Sequence, residues 1–510
     1  MLQPAVLTAT AANPDDQTRL FNVEEPRPTR PNIILILTDD QDVHMDSLRF
    51  TPLTHKHLIS QGTLYKKHFC TTAVCCPSRA SLWTGKLSHN TNVTDLTPPY
   101  GGYPIFVKNG HNENYLPIWL QSAGYSTYVV GKMFNAHTLW NYDSPHLKGW
   151  DGSAFGFLED AVSAEKPFFL AIAPIAPHSN VNSSFITPVH GPDDNVPITD
   201  DGLRVPRNAN FNPDKPSGAD WIRRQPKLTD EQVEYNDGHY RGRLQSLQAV
   251  DELVDGLFER LETKGLLDNT YAAPGKECGY EEDINIPLII RGPGIPKGQV
   301  SEAVTAHVDL APTVLHLAGA PLRADFDGRP VPLSAKEIEE APATREHVGI
   351  EYWGWALVFN NTYKAIRVIG EGYSLYYSVW CTNEHELYDM TNDPGQLVNL
   401  LHPDEAKVAE SATVLGHSIK SLVPRLDALL FVLKSCSGIS CSQPWRSLHP
   451  QGNVASLRDA LSQRFDAFYA EQARVEWSRC ELGHIIDAEG PQFEKDGNVY
   501  WQGSRWSDWT

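Results

Sequence analysis

The sequence of 510 residues contains no long apolar run, and basic residues are in deficit. A helix that spans a membrane needs about 20 consecutive, mostly apolar residues, and no stretch approaches that length. The 43 lysines and arginines face 63 aspartates and glutamates, so the formal net charge at pH 7 is −20. Nucleic-acid phosphates require a basic surface, which argues against a nucleic acid as partner. An anionic ligand would need a locally positive pocket in this acidic protein.

Cysteine is also sparse, with eight residues in the whole chain. Cys436 and Cys441 enclose the short loop Ser-Gly-Ile-Ser and can form a disulfide with each other. If Cys75 is chemically modified, for the reason given below, an odd number of cysteines remains and at least one stays outside a disulfide. The sequence leaves open which one, among Cys70, Cys76, Cys278, Cys381 and Cys480.

Three sites in the sequence match the Asn-x-Ser/Thr acceptor of N-glycosylation, at Asn92, Asn182 and Asn360. Sequons arise by chance, but several in one chain fit a secreted protein. Residues 1–12 lack the basic start and the strong apolar core of a signal peptide. Entry into the secretory pathway is therefore an expectation that rests on the family resemblance given below.

Apolar runs followed directly by polar residues recur in the first two-thirds of the chain. Such a run is typical of a strand that is buried on both faces of a parallel sheet. Because ligands of open α/β sheets gather outside the carboxyl ends of the strands, we expect these polar residues to converge. The runs are 33–37 before Asp39 and Asp40, 125–130 before Lys132, 167–173 before His178, and 286–290 before Arg291.

Helical patterns lie between these runs and complete the predicted architecture. Residues 244–261 place apolar side chains at helical spacing, as in a helix that packs on a sheet. Alternating strands and helices up to about residue 345 predict a three-layer α/β domain. Beyond it, short strands and a helix-rich tail with several tryptophans predict a smaller α+β domain. The predicted parts are a polar, proline-rich extension at 1–30, the α/β domain at 31–345 and the C-terminal α+β domain at 346–510.

Residues 75–85 read Cys-Cys-Pro-Ser-Arg-Ala-Ser-Leu-Trp-Thr-Gly and are the most informative stretch of the chain. Pro77 soon after Cys75, followed by helix-forming residues, predicts the N-terminus of a helix. Unpaired N–H groups and the helix dipole at such a place favour an anion or an anionic intermediate. A buried cysteine pair that opens an ordinary helix is the alternative that Cys-Cys-Pro alone would favour.

The longer pattern Cys-x-Pro-Ser-Arg-x-x-x-x-Thr-Gly resembles the signature of the sulfatase family. In that family the first cysteine is oxidised after synthesis to formylglycine (3-oxoalanine), and its hydrated aldehyde attacks the sulfur of a sulfate ester. The resemblance implies that Cys75 is this modified nucleophile, and that a formylglycine-generating enzyme reads Pro77 and Arg79. It covers most of residues 31–402 and is nearest to fungal arylsulfatases and N-acetylglucosamine-6-sulfatases. The implied fold is an alkaline-phosphatase-like three-layer sandwich with a large mixed sheet, and the implied substrate is a small sulfate ester.

Asp39 and Asp40 form a carboxylate pair at the predicted end of the first strand. Two adjacent like charges are costly unless a cation neutralises them, and hard oxygen ligands select Ca²⁺ or Mg²⁺. By itself, an Asp-Asp pair is more often a solvated turn. The family resemblance implies that this pair binds one Ca²⁺ ion, in preference to Mg²⁺, with the modified Cys75 as a further ligand. Asp42 and Asp46 are expected at the surface.

The resemblance also implies the remaining catalytic roles. Arg79 supports the nucleophile, and Lys132 and Lys276 bind the sulfate group. His178 lies near the leaving-group oxygen, where it can donate a proton or a charge-assisted hydrogen bond. Structural alternatives are a capped loop histidine at position 178 and a solvated loop lysine at position 276. His89 matches a further polar position of this branch, again with a structural role as the alternative.

One stretch departs from the family pattern. Between Tyr271 and Pro274 the sequence has only two alanines, where the family has a buried strand, a Ser/Thr-Asp-Asn-Gly motif and a histidine. We therefore expect the strand and the second pair of metal ligands to be absent, and a second shortening lies between residues 150 and 157. The sequence predicts an arylsulfatase-like hydrolase. Two alternatives stay open: a catalytically impaired sulfatase-like protein, and a phosphomonoesterase or phosphonate hydrolase of the same superfamily.

Overall fold

The computed structural model describes residues 30–152, 166–182, 185–188, 202–267, 270–271, 280–354 and 360–493. Among the helices in these ranges, none is long and apolar enough to cross a membrane. Contacts divide the chain into Met1–Arg30 and Pro31–Thr510. The three-part domain division, with its boundary near residue 345, stays a prediction.

The described strands form a parallel sheet, a mixed sheet, an antiparallel sheet and two hairpins. In chain order they are β1 (Asn32–Ile36), β2 (Thr63–Phe69), β3 (Ser126–Gly131), β4 (Phe168–Ala173), β5 (Ser179–Asn182), β6 (Phe185–Pro188), β7 (Thr270–Tyr271), β8 (Leu288–Ile290), β9 (Gln299–Ala306), β10 (His347–Tyr352), β11 (Tyr363–Gly370), β12 (Tyr373–Trp380), β13 (His385–Asp389), β14 (Thr413–Val414) and β15 (His417–Ser418). The described α-helices are α1 (Pro52–Thr54), α2 (Cys75–Thr84), α3 (Ser88–Thr91), α4 (Gly102–Lys108), α5 (Leu116–Ser122), α6 (Asp220–Arg223), α7 (Asp230–Thr263), α8 (Glu281–Ile284), α9 (Leu310–Leu317), α10 (Ala335–Glu340), α11 (Ala406–Ser411), α12 (Ile419–Leu433), α13 (Ile439–Ser442), α14 (Pro444–Leu448), α15 (Leu457–Ala460) and α16 (Asp466–Ala470).

The parallel sheet has the strand order β3-β4-β1-β7. Strand β1 is buried along its whole length, as its unbroken apolar run predicts. Its residues alternate between two layers: Ile33 and Leu35 share a core cluster with residues of α2, and Ile34 and Ile36 share one with residues of α7. Helices thus cover both faces of the sheet, and the predicted three-layer α/β architecture is confirmed.

The mixed sheet places β2 between β8 and β9. Strand β2 runs antiparallel to β8 and parallel to β9, so this part of the fold supplies the mixed character of the prediction. The apolar run 286–290 contributes β8 to this sheet, and Arg291 after it donates a hydrogen bond to the carbonyl oxygen of His57. The polar end of this run therefore belongs to a different sheet from the other three.

Strand β7 corrects one expectation from the sequence. Thr270 and Tyr271 pair in parallel with Asn32 and Ile33, so the strand expected to be absent is present over two residues. The reason is that the start of β1 offers free ladder positions, and even two residues satisfy them. Strand β7 ends before the carboxyl end of β1, and residues 272–279, with Lys276, lie outside the described part of the chain.

The antiparallel sheet joins β10, β11, β12 and β13 in sequence order. One of its two inner strands, β11, is buried except at its last residue, because helix α12 and the C-terminal segments pack against the same sheet. A smaller sheet with helices thus follows the larger α/β part, as the change of sequence character indicates. The fold class predicted from the sequence is confirmed, including this C-terminal sheet.

Disulfides among the described residues lie in the C-terminal half of the chain. Cys436 and Cys441 are paired as the sequence predicts, with their Cα atoms 5.1 Å apart. A second bond joins Cys381 to Cys480 across 99 residues, with Cα atoms 4.9 Å apart. The described cysteines outside a disulfide are all buried, namely Cys70, Cys75 and Cys76. Cys278 lies outside the described residues.

Candidate active site

Asp39 and Asp40 lie just beyond β1, beside the loop that follows β4. The N–H of Asp39 donates to the carbonyl oxygen of Ala176 at 3.2 Å, and Asp39 forms a parallel β-bridge with Pro177. This bridge continues the pairing of β1 and β4 past their ends and brings the two loops together. Asp39 is fully buried, and Asp40 has a left-handed backbone with φ of 65°.

Cys75 is the first residue of α2, the helix that the sequence predicts at this point. Every residue of the helix is buried, and Arg79 follows Cys75 one turn later on the same face. The two adjacent thiols are both buried but differ in their surroundings. Cys76 packs in the core, where burial disfavours the thiolate and raises the pKa of Cys76 to about 12. Cys75 instead lies at the helix start, next to the carboxyl ends of the strands.

Each carboxylate oxygen of Asp39 contacts one cationic side chain. Arg79 Nη2 lies 3.1 Å from Oδ1, and Lys132 Nζ lies 2.5 Å from Oδ2. The same ammonium group lies 3.4 Å from the sulfur of Cys75, and Arg79 also donates to the carbonyl oxygen of Lys132. Together with Asp40, these groups amount to two carboxylates and two cationic side chains. Their charges offset each other, although the whole chain has a net charge of −20. Fixed cationic donors beside Cys75 suit an anionic ligand.

A glycine places Lys132 at the end of β3. Gly131 has φ of 98°, and a Cβ atom there would lie 2.1 Å from the carbonyl oxygen of Ala173 on β4. The next N–H, that of Lys132, donates to the same carbonyl oxygen at 2.8 Å. A side chain at position 131 would therefore push β3 away from β4, so the Gly-Lys pair meets a requirement of the backbone.

His178 reaches the site from the loop after β4. Its Nδ1 lies 2.6 Å from the carbonyl oxygen of Ser179, which can only accept, so we assign the proton to Nδ1. The other nitrogen, Nε2, lies 3.6 Å from Asp40 Oδ2. One ligand atom from each of Asp39, Asp40, Cys75 and His178 lies within 4.8 Å of the others. The imidazole thus presents Nε2 to the space between the carboxylates and the Cys75 sulfur.

Most residues that the sequence singles out are brought together here. They are Asp39, Asp40, Cys75, Arg79, Lys132 and His178. Lys276 lies outside the described residues. Of the sequons, Asn92 and Asn360 are exposed, and the side chain of Asn182 is outside the described part. Glycosylation of these residues stays a prediction.

His89 belongs to a different place, which we term the buried ion cluster: His89, Glu351, Lys364 and Glu489. His89 Nδ1 lies 2.7 Å from Glu351 Oε2, and its Nε2 lies 2.8 Å from the carbonyl oxygen of Cys436. Burial disfavours the imidazolium, but the facing carboxylate of Glu351 outweighs burial and raises the pKa of His89. Both ring nitrogens are thus engaged by the protein, which favours the structural role.

Further residues at the site have little signal in the sequence. Arg243 on α7 donates to the carbonyl oxygen of Asp40 at 2.5 Å and lies 3.3 Å from Asp42 Oδ2. Asp42, expected at the surface, is 3% exposed, because Arg243 supplies the charge that a buried carboxylate needs. Burial raises the pKa of Asp42, and Arg243 opposes this effect. His239 Nε2 lies 2.7 Å from Ser179 Oγ. His239 and Arg243 are four residues apart on one helix, and this spacing is the sequence signal that could have identified both as residues of one helix face.

The donor set fits a hard divalent cation once Cys75 carries oxygen. Asp39 and Asp40 supply carboxylate oxygens at a space that Cys75 also borders, and Ca²⁺ prefers several ligands of this kind. A thiolate is a soft ligand and suits other metals. Replacement of the sulfur by an oxygen function at position 75 would therefore add a hard ligand to the two carboxylates, in keeping with part of a Ca²⁺ site.

The matches to family models and to curated relatives agree on one family. Residues 31–320 match the family model described as Sulfatase, and residues 274–422 match the model described as N-sulphoglucosamine sulphohydrolase, C-terminal. An arylsulfatase of Volvox carteri is 34% identical over 88% of this chain and 82% of its own length. An N-acetylglucosamine-6-sulfatase of Homo sapiens is 28% identical over 81% of this chain and 86% of its own. A solved structure in complex with its substrate D-glucosamine-2-N,6-O-disulfate matches with a TM-score of 0.58 and 21% identity, over 74% of this chain and 95% of that one, and supports the fold.

Proposed function

We propose that this chain, which belongs to the sulfatase family and is a sulfuric ester hydrolase, cleaves aryl sulfates. The reaction consumes water and yields a phenol and sulfate. The proposed nucleophile is formylglycine at Cys75, and the proposed cofactor is one Ca²⁺ ion. One observation carries the proposal. The sulfur of Cys75, at the start of α2, lies 3.4 Å from Lys132 Nζ and beside the carboxylates of Asp39 and Asp40.

Cys75 would be oxidised by a formylglycine-generating enzyme of the secretory pathway, with dioxygen as the oxidant, so that the CH₂–SH group becomes an aldehyde and the sulfur leaves as hydrogen sulfide. When present and hydrated, the aldehyde supplies one hydroxyl that attacks sulfur as the ester S–O bond breaks, and a second hydroxyl whose deprotonation later expels sulfate and restores the aldehyde. One water is consumed per ester. Bound between Asp39, Asp40 and the oxygens at position 75, Ca²⁺ would supply positive charge to the sulfate and to the attacking oxygen.

Lys132 and Arg79 provide the positive charge that a sulfate group needs. Both are held by the carboxylate of Asp39, which restricts their movement. Lys132 Nζ reaches position 75, so it can donate to an oxygen there or to a sulfate oxygen that approaches it. Fixed donors of this kind stabilise the charge of the transition state without rearrangement. Lys276 is proposed, on the family resemblance, as a second sulfate-binding lysine.

His178 is proposed to protonate the leaving-group oxygen. Its Nδ1 proton is held on the carbonyl oxygen of Ser179, so Nε2 is the atom that can take up a proton and pass it to the substrate. The proton matters most when the departing oxygen would otherwise leave as a strongly basic anion. This dependence on the leaving group is tested below.

A cavity of about 570 Å³ beside Lys132 supports an aryl leaving group. Its lining includes the aromatic side chains of Phe134, Tyr142 and Trp150, and Ile175 in the loop that leads to His178. Walls of this kind favour a flat apolar ring over a heavily hydroxylated group. Lys132, the proposed sulfate-binding lysine, is among the lining residues, which supports this cavity as the place for the leaving group.

Release of 4-nitrophenol from its sulfate ester tests the proposed function. The wild-type chain, expressed with a formylglycine-generating enzyme and assayed with Ca²⁺, is expected to hydrolyse the ester, and Cys75→Ala is expected to fall to the background rate. Cys76→Ala is the matched control, because it removes the neighbouring thiol that packs in the core, and it should keep the activity. Full activity of Cys75→Ala would contradict the proposal.

The alternatives predict different outcomes of the same assay. Nothing in the comparisons supports the catalytically impaired alternative, which predicts background rates for the modified wild-type chain. The phosphomonoesterase or phosphonate hydrolase alternative predicts that 4-nitrophenyl phosphate or a phosphonate ester is cleaved faster than the sulfate. We expect the sulfate to be preferred.

A further inference from the structure

Helix α7 contacts both loops that form the active site. His239 and Arg243 lie one turn apart on the same face of this helix. Nε2 of His239 lies 2.7 Å from Ser179 Oγ, in the segment after β4. Arg243 Nη2 donates to the carbonyl oxygen of Asp40 at 2.5 Å and lies 3.3 Å from Asp42 Oδ2, in the loop after β1. A single rigid helix therefore holds the backbone on either side of the proposed metal site.

Asp40 depends on its surroundings for its conformation. Its φ of 65° places it in the left-handed region, which is unfavourable for a residue with a Cβ atom and persists where neighbouring groups hold it. The guanidinium of Arg243 donates directly to the carbonyl oxygen of this residue. Loss of that donor would allow the turn to relax, and the Asp40 side chain would move with the backbone.

Asp42 fixes Arg243 in the orientation that this contact needs. Its Oδ1 accepts from the N–H of Met45 at 2.5 Å, its Oδ2 faces Arg243, and its carbonyl oxygen accepts from Ser47 Oγ at 2.9 Å. A guanidinium that faces a fixed, buried carboxylate has few other orientations, so its donor to Asp40 is preorganised. The carboxylate also offsets the positive charge of Arg243, which limits repulsion of a cation bound nearby.

We propose that Arg243 is a positioning residue for the Ca²⁺ site. It holds the turn at Asp40 so that the Asp40 carboxylate meets Asp39 and the group at position 75. The proposal rests on the proposed function in one respect, namely that Asp40 binds Ca²⁺. Removal of Arg243 leaves the ligands in place and loosens their geometry, so ion binding becomes weaker but is not abolished.

Calorimetric titration of the full chain with CaCl₂ tests this role. The two variants are Arg243→Gln and the double variant Asp42→Asn/Arg243→Gln. The single variant leaves Asp42 buried without its cation and should lower the melting temperature, whereas the double variant removes both charges and should recover most of it. Both are expected to bind Ca²⁺ at least about tenfold more weakly than wild type. Arg241→Gln is the matched control on the same helix, since Arg241 donates to Leu203 instead, and it should bind Ca²⁺ as wild type does.

A second readout separates a positioning residue from a ligand. Saturating Ca²⁺ should restore kcat of Arg243→Gln to near the wild-type value, because the ligands are still present, but should not restore Asp40→Asn. A folded double variant that binds Ca²⁺ as tightly as wild type would overturn the inference. If the double variant does not fold, Arg243→Lys decides: weaker Ca²⁺ binding at the wild-type melting temperature supports the role, and equal binding overturns it. Failure of the wild-type chain itself to bind Ca²⁺ would contradict the proposed metal, and the inference with it.

Discussion

The active site and the buried ion cluster are both built from closely paired charges, but only the active site is open to solvent. In the candidate active site, the side chains of Asp39 and Arg79 are buried, but those of Lys132, Asp40 and His178 are 15%, 18% and 24% exposed. The side chains of the buried ion cluster, His89, Glu351, Lys364 and Glu489, are between 1% and 4% exposed. Both places pair carboxylates with cationic side chains, but they differ in how far solvent can reach those side chains.

We expect this difference to separate charges that can act on a ligand from charges that stabilise the fold. Lys364 Nζ lies 2.8 Å from Glu351 and 3.5 Å from Glu489, and 4.1 Å above the ring of Trp353, so protein groups surround it. Lys132 Nζ contacts Asp39 but also lies 3.4 Å from the Cys75 sulfur, and its side chain is 15% exposed. A closed arrangement can contribute only to stability, whereas the open one can also bind an anion.

The largest expected effect is a loss of stability when the buried ion cluster is changed. Glu351→Gln leaves His89 and Lys364 buried without their shared carboxylate, and the free energy of unfolding should fall by about 3–5 kcal/mol. Urea denaturation measures this change. Activity per folded molecule should stay near wild type, because none of these groups reaches Cys75. A large loss of kcat in the folded variant would remove the distinction between the two regions.

The loss of stability in Glu351→Gln should depend on pH. Burial would raise the pKa of Glu351, but the charges of His89 and Lys364 outweigh burial and lower it. The contribution of Glu351 is therefore complete above its ordinary pKa of 4.5 and is lost as the pH falls through the lowered value. The raised pKa of His89 has the opposite sign: its contribution is complete below 6.5 and is lost as the pH rises through the raised value. The stability difference between wild type and Glu351→Gln should thus be largest between pH 4.5 and 6.5.

In the candidate active site, we expect Lys132→Met to have the reverse effect, namely a loss of activity with little loss of stability. The variant removes a fixed donor to the transition state, so kcat should fall by about 10²- to 10³-fold. The melting temperature should change little, because Arg79 continues to pair with Asp39. Lys148→Met is the matched control, since Lys148 is an exposed lysine paired with Glu113, and it should leave kcat unchanged. Equal rates in the two variants would show that Lys132 is structural.

A smaller and selective effect is expected for His178→Ala. If His178 protonates the departing oxygen, an alkyl or sugar sulfate should be cleaved about 10²-fold more slowly by the variant, in line with general acid catalysis. The rate with 4-nitrophenyl sulfate should fall less, since nitrophenolate is a stable anion. The ratio of the two losses is the measured quantity. A uniform loss across leaving groups would assign His178 to sulfate binding instead.

The smallest effect is expected at the surface, where neither access nor burial gives a charge pair much influence. Lys336 and Glu340 lie 3.8 Å apart in α10 with side chains 81% and 62% exposed. Lys336→Ala should change the free energy of unfolding by less than about 0.5 kcal/mol, because solvent screens the pair. Thermal unfolding at low and high salt measures it. A larger loss would mean that exposure is a poor guide to the role of a charge in this protein.

The sequence could predict the parts of the site that depend on local pattern. The apolar run before Asp39 is long enough to mark a strand buried on both faces, and the proline after Cys75 marks the start of α2. Gly131 before Lys132 is required by the close approach of β4. The parallel order of the strands then brings their polar ends together.

Other features depend on contacts between distant segments and leave little trace in the sequence. Arg243 and Asp40 are 203 residues apart, and a polar stretch such as the one around Asp42 gives no sign that it will be covered by a helix. The different roles that we infer for His89 and His178 depend on the carboxylates that face them, Glu351 and Asp40, which are distant in sequence. The short strand β7 shows that even two residues can keep their place in a sheet.

Peptide mass spectrometry across position 75 tests the central claim most directly. The claim is that Cys75, at the start of α2 beside Lys132, is oxidised to an aldehyde, while Cys76, one residue later in the core, stays a thiol. Protein that hydrolyses sulfate esters should give a peptide with the mass of formylglycine at position 75, reactive towards a hydrazide, and with an alkylatable thiol at position 76. An intact thiol at Cys75 throughout a fully active preparation would contradict the account.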